Sequence, residues 1–515
     1  MPSPESPAKT MTTSGTTTRW VLIRAQCVVL TKAVDAQGLG EISGSPLFSR
    51  RFLSWVAVVE KGHYVLVIGG AVAGAEAAIQ FAQRGIRVAV LEQNALPYGK
   101  IEYGLPKWHV KLRNKEEAAI DAKLQHPLVR YVPLTRLGRD VRLPELLRWG
   151  FSAVVLANGA WRDRPFPVPE ADAYIGRGFY YQNPFMVWFN QMHDPNGTVE
   201  PYEVADGAIV VGGGLASIDV AKALMMLTVE EALRRYGIST HVLEMEHGID
   251  RLLQRHGLTL EALGVRGCTL YYRRRAQDMP LTPMPTDTPE RLARAQMVRL
   301  KVLQTAQRRY LFNFQELCLP VGILTEGGRL VGLVFCRTRI DGDRAVPIPG
   351  TEHEVRAPLV ISSIGSIPEV LPDIPMRGET YALADPELCR VEGYENVFVV
   401  GNAVTGRGNI QESLNHSRRI VQRILEQYLG WDAQLYEHLN RQQESQVADE
   451  VARIARHLTA RPPLEAEQIS LIDDYITQLQ QRVGYDGDYP RWIQRHLPKR
   501  LEDLLHLELP DADGE

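Results

Sequence analysis

The first residues able to do chemistry stand at the end of a short apolar run, Val65-Leu66-Val67-Ile68, which leads into Gly69-Gly70-Ala71-Val72-Ala73-Gly74. A buried strand followed by glycines predicts a tight turn into a helix, whose free N–H groups and dipole favour an anion such as a diphosphate. A second strand over 87–91 ends at Glu92, where a carboxylate can take the hydroxyls of a ribose. Alanines at 75, 77, 78 and 82 let the helix press on a sheet, and Gly85 suits its end. A parallel α/β unit that binds nothing would share the pattern. Turn, helix, strand and acid in register favour the dinucleotide reading. Ala71 fills the position of the second motif glycine.

The same logic returns at Gly212-Gly213-Gly214-Leu215-Ala216-Ser217, after the apolar run 208–211. The next strand, 268–272, ends not on an acid but on Arg273-Arg274-Arg275. An acid there binds a ribose 2′-hydroxyl, whereas arginines accommodate a 2′-phosphate through charge-assisted contacts. NADP is therefore favoured over NAD, the alternative being a solvated basic run.

Around these motifs the chain of 515 residues has room for two or three domains. With 45% hydrophobic residues, 23% charged residues and a net charge of −3, it reads as an ordinary globular protein with no call for nucleic acid or a membrane surface as partner. No run approaches the roughly 20 apolar residues of a membrane span. The five cysteines contain no C-x-x-C, which argues against a disulfide framework, a cysteine-ligated cluster or a redox pair and fits free thiols in the cytoplasm. No metal site is expected; His241, His247 and His256 read as surface residues of an insertion.

Residues 1–61 form a leader, disordered at its start, with strands conceivable at 20–30 and 53–59. The 97–106 loop is punctuated by glycine and proline. A helix carrying Lys107, Lys111 and Lys115 at four-residue spacing is expected after it, either a solvated face or a docking stripe. Thr228-Val229-Glu230-Glu231 has the form of a helix-starting capping box. Pro289 after Thr288 opens a long helix to about residue 310, and the strands 321–324 and 330–336 flank a Gly327-Gly328 turn. Further strands are expected at 151–156, 361–365 and 397–400. In the polar tail, Ile469, Ile472, Ile476, Leu479 and Val483 recur at 3-4-3-4 spacing. That seam packs either on its own chain or on a partner helix.

This order of parts resembles the two-dinucleotide-binding flavoprotein superfamily, and within it the adrenodoxin-reductase-type ferredoxin–NADP reductases and the small subunit of NADPH-dependent glutamate synthase. The carrying residues are the Gly69 turn with Glu92, the 97–106 loop, Gly138-Arg139-Asp140-Val141, Ala157-Asn158-Gly159-Ala160, the Gly212 turn, Arg273-Arg274 followed by Asp278-Met279-Pro280, and the stretch 401–410. They span roughly 62 to 425. The resemblance implies an α/β chain with two Rossmann-like domains of the glutathione-reductase type. FAD would bind a discontinuous domain, 62–165 with 362–430. An NADP domain, 166–361, is inserted in it, and a helical extension follows at 431–515.

By the same resemblance, Arg273 and Arg274 hold the 2′-phosphate, Gly408 and Ile410 lie against the flavin ring, and Gly99 and Lys100 lie near it. Gly159, Gly401 and Asn402 complete the cofactor-binding set. Asn402 stands where relatives have aspartate or tryptophan, and the cysteine-rich iron–sulfur segment of the glutamate synthase subunits is missing. The implied activity is hydride transfer from NADPH to FAD, then delivery of electrons to a ferredoxin-like carrier or a partner enzyme. The alternative is a nucleotide-binding scaffold subunit with little turnover. No side chain is singled out as catalytic. Oligomers, if formed, are expected through the C-terminal helices.

Overall fold

The computed structural model describes residues 62–194, 201–342, 344–406, 409–430 and 460–507. The leader and its two expected strands lie outside them, as do Arg407, Gly408 and 431–459. Among the described residues, no helix is long and apolar enough to cross a membrane.

Tyr64–Ile68 is buried along its whole length, as a central strand covered on both faces must be. It pairs in parallel with Arg87–Leu91 on one side and Ala153–Leu156 on the other. The sheet has seven strands, with Val129–Val132 at one edge; beyond Ala153–Leu156 come Val397–Val399 and two short strands, Arg390–Val391 and Leu383–Asp385. A second sheet of five parallel strands runs in the order Phe179–Tyr181, Val360–Ser363, Ile209–Gly212, Thr269–Tyr271, Asn313–Gln315. Each glycine-ended strand is thus interior to its own sheet. The hairpin expected around Gly327-Gly328 is Cys318–Glu326 against Arg329–Asp341.

The chain leaves the first sheet through Arg162–Asp163 and returns through Ser366–Ile367, and these two short strands pair antiparallel. Because Val360–Ser363 is hydrogen-bonded to Ile209–Gly212 throughout, the handover falls after residue 363 and not at 361.

Two local expectations are corrected, and an alternative left open is resolved. The capping box at Thr228 starts nothing, because Leu215–Arg235 is one continuous helix with Val229, Ala232 and Leu233 buried on its inner side. The lysine stripe does not exist as a stripe. The helix begins at Val110, and Lys107 precedes it, buried, with its ammonium 4.4 Å from the centre of the Phe189 ring. Of the two readings open for the tail, packing on its own chain is the one observed. Leu464 exchanges backbone hydrogen bonds with Gly62, and the helix Ala466–Arg482 lays Ile469, Ile472, Ile476 and Leu479 inward. Arg130 holds Asp473, and Gln480 donates to the carbonyl of Tyr131 on the edge strand Val129–Val132 (2.8 Å). Tyr485, Tyr489, Trp492 and Ile493 belong to the same core as Val65 and Val67. The apolar seam is consumed within the chain and is not available to a partner.

Candidate functional site

At Gly69 the backbone takes φ +101°, and an added side chain would meet the carbonyl oxygen of Ala157 at 2.7 Å. At Gly74 a Cβ would stand 1.8 Å from the carbonyl oxygen of Gly69, so the helix touches the turn backbone to backbone. Ala71 is accommodated because it faces another glycine: its methyl carbon lies 2.8 Å from where a Cβ on Gly99 would be. Glu92 is buried and held from two sides. One oxygen accepts from the N–H of Gly70 (2.8 Å), the other from the backbone and side chain of Asn94 (3.0 and 3.1 Å). Burial raises its pKa, while the N–H donors oppose the rise.

In the second unit, Gly213 carries the ring of Tyr272 directly on its backbone, and nothing lies within 4 Å of where a Cβ on Gly214 would be. That open side is where a diphosphate has room to approach. The arginine run divides its charge. Arg275 is committed to Asp278 through two hydrogen bonds (2.9 and 3.0 Å), and Arg274 lies 3.7 Å from the same carboxylate. Among the described residues Arg273 has no ion pair, and its side chain is exposed.

Both turns open onto one cavity of about 1820 Å³. Of the site residues expected from sequence, Gly69, Ala71, Glu92, Gly99, Lys100, Gly159, Gly212, Gly213, Gly214, Leu215, Ala216, Arg273, Arg274, Asn402 and Ile410 line it. Four others act from behind its wall. Gly70 holds Glu92, Gly74 seats the helix on the turn, Ser217 Oγ donates to the Gly214 carbonyl (2.7 Å), and Gly401 at φ +72° donates its N–H to His416 Nδ1 (3.0 Å). Gly408 lies outside the described residues. The Oδ1 atoms of Asn158 and Asn402 are buried without a hydrogen-bond partner on this wall, as expected of a surface that a polar ligand completes.

Lys100, expected at the site, is joined on the wall by lining residues that sequence reasoning missed. Lys100 donates to Asn183 Oδ1 and Ser366 Oγ, both at 3.1 Å; burial pulls its pKa down to about 8, against the pull of Asp163. Lys222 sits between the rings of Trp108 (4.4 Å) and Tyr310 (4.7 Å), 3.6 Å from Asp219. Burial pushes the Asp219 carboxyl up to about 6. His109, Glu246 and Arg309 close this arm of the cavity. Their only signal in sequence was the i, i+3 pair Asp219 and Lys222 one turn past Ser217. Among the described residues, no group of side chains could hold a metal ion.

Residues 63–262 match the pyridine nucleotide-disulphide oxidoreductase family. The mitochondrial NADPH:adrenodoxin oxidoreductase of Arabidopsis thaliana is 28% identical over 43% of this chain and 47% of its own. The beta subunit of the NADP(+)-dependent formate dehydrogenase of Moorella thermoacetica is 25% identical over 87% of this chain and 52% of its own. The glutamate synthase [NADPH] small chain of Mycobacterium tuberculosis is 30% identical over 31% of this chain and 32% of its own. The chain therefore spans about half the length, or less, of the curated relatives it matches. Among solved structures, Mycobacterium tuberculosis FprA in complex with NADPH superposes with a TM-score of 0.55 at 21% identity, over 77% of this chain and 90% of that one. The chain is thus similar to pyridine nucleotide-disulphide oxidoreductases over residues 63–262, and its fold, with two Rossmann-like halves, is that of the FprA structure.

Proposed function

We propose that the protein binds FAD and NADP(H) and works as an oxidoreductase, taking hydride from NADPH and passing electrons to a protein acceptor. The observation that carries this reading is the single cavity onto which both glycine turns open. Two dinucleotides seated on those turns would share one space screened from water. FAD, when bound, supplies hydride acceptance and the release of electrons to an acceptor. The chain's own part is to bind, orient and exclude water. Residues 62–165 with the segment after 363 hold FAD, with Glu92 on the ribose, Gly99 and Lys100 beside the ring, and Asn402 offering an unpaired acceptor. Residues 166–363 hold NADP(H), with Arg273 and Arg274 on the 2′-phosphate. No side chain is assigned as catalytic.

The acceptor is a ferredoxin-like carrier or a partner subunit. Relatives named for adrenodoxin, formate dehydrogenase and glutamate synthase support both forms. The four described cysteines are free and buried, which suits the cytoplasm, although the plant relative is named as mitochondrial.

The purified protein should be yellow, release FAD on denaturation, and be reduced faster by NADPH than by NADH in a stopped-flow mixer. A folded, colourless protein that takes up no added FAD would refute the reading. Flavin that is bound but not reduced by either nucleotide would favour the scaffold alternative.

A further inference from the structure

We propose that the segment from Tyr485 to Leu504 is the rear support of the loop that presents Gly99 and Lys100 to the cavity, with Arg500 as a positioning residue. The inference rests on reading that cavity as the cofactor site. One side of the loop faces the cavity through Gly99 and Lys100. Its other side is gripped by the tail at three points. The indole N–H of Trp492 donates to the carbonyl of Ala95 (2.8 Å). The hydroxyl of Tyr489 donates to Asp121 (2.7 Å), which also accepts from the hydroxyl of Tyr98 (3.1 Å). Arg500 donates to Glu102 (2.5 Å) and, with its other nitrogen, to both oxygens of Glu117 (2.9 and 3.1 Å).

The third grip carries the most consequence. Glu102 and Glu117 are both under 10% exposed, as are Arg113 and Glu502, which pair beside them. Three carboxylates therefore share two guanidiniums out of water, and burial, with Glu102 adding repulsion, pushes Glu117 above its ordinary range. A buried carboxylate stays ionised in place only with a counter-cation or N–H donors to hold it, and for Glu102 the holding donor is Arg500. Glu102 belongs to Lys100–Tyr103, a helix of a single turn, and one turn has little stability of its own. Without Arg500, Glu102 either takes up a proton or turns toward water, and when it turns the single turn bearing Lys100 goes with it. Arg500 itself does not line the cavity.

The test uses the full-length protein with Arg500→Ala, Arg500→Lys and the double variant Arg500→Ala with Glu102→Gln. The first readout is the rate of tryptic cleavage after Lys100, followed by mass spectrometry, which needs no flavin. The second is the rate of FAD release and the position of the visible flavin bands. Arg500→Ala is expected to speed cleavage roughly tenfold or more, since cleavage follows the population of the open loop, to hasten FAD release and to shift the bands. Arg500→Lys should fall between it and the wild type and keeps the test usable if the alanine variant does not fold. Adding Glu102→Gln should restore both readouts, because an amide needs no counter-cation. Unchanged cleavage in both single variants, or no rescue by Glu102→Gln, overturns the proposal. Faster cleavage in a protein that binds no FAD would leave the support standing and remove the flavin reading.

Discussion

Arg273 and Arg274 differ in how much of their charge is free. Arg274 shares Asp278 with Arg275, while Arg273 has no ion pair among the described residues. Charge-assisted hydrogen bonds contribute about 1.5–3 kcal/mol each, and every ~1.4 kcal/mol is tenfold in affinity. Replacing both arginines with alanine should weaken NADPH by roughly two orders of magnitude, less what solvent screens away. NADH and the bound flavin should be nearly untouched, as stopped-flow reduction of both forms would read. Most of that loss should come from Arg273. The glycines and these arginines were legible because a turn or a strand end fixes where they stand. Lys222 and Asp219 were not, because their role depends on what packs over them. His416 was equally silent in sequence. It accepts the Gly401 N–H at Nδ1, and burial lowers its pKa to about 4 from 6.5. Between those values the unfolded chain takes up a proton that the native state refuses, so stability present above 6.5 is lost as pH falls toward 4. His416→Asn offers an oxygen to the same N–H and should flatten that acid slope, measured as urea midpoints across the window.

Helices and strands were read best where an apolar run or a cap sets them locally. Pro289–Tyr310 came out as expected because Thr288 caps it and Leu311, at φ 60°, ends it. The capping box at Thr228 misled because the residues before it were already helical and buried. The tail's heptad seam was visible, but its partner was not, since the edge strand and the tail are far apart in sequence. Burying a large apolar side chain is worth about 1.5–3 kcal/mol, and whole domains are stable by about 5–15 kcal/mol. Losing Ile469, Ile472, Ile476, Leu479, Trp492 and Ile493 together, about 9–18 kcal/mol, is as large as that margin. A truncation at residue 430 should therefore aggregate or bind the hydrophobic dye ANS, and a soluble, cooperatively unfolding fragment would contradict this account. Gly74→Ala is the sharper change in the same half. Its methyl group would displace the helix from the turn, costing roughly 1–3 kcal/mol and the bound flavin, seen as a colourless preparation with a lowered unfolding midpoint.

At the scale of the molecule, two sheets built on one plan enclose a shared cavity, and the paired strands Arg162–Asp163 and Ser366–Ile367 carry the chain between them. The insertion of one half in the other was legible from the order of the motifs. The closing of the outer half by residues 460–507 was not. Gly62 and Leu464 are hydrogen-bonded neighbours, so the outer half begins with the first described residue and is finished by nearly the last. This sets a timetable for synthesis. A ribosome delivers the inner half whole long before Trp492 emerges, while the outer sheet waits with its Val129–Val132 edge bare. The inner half should become protease-resistant first on stalled nascent chains, although its sequence starts second. Until the last strand-covering helix arrives, the apolar face that Ile469, Ile472 and Ile476 later cover stays open to solvent.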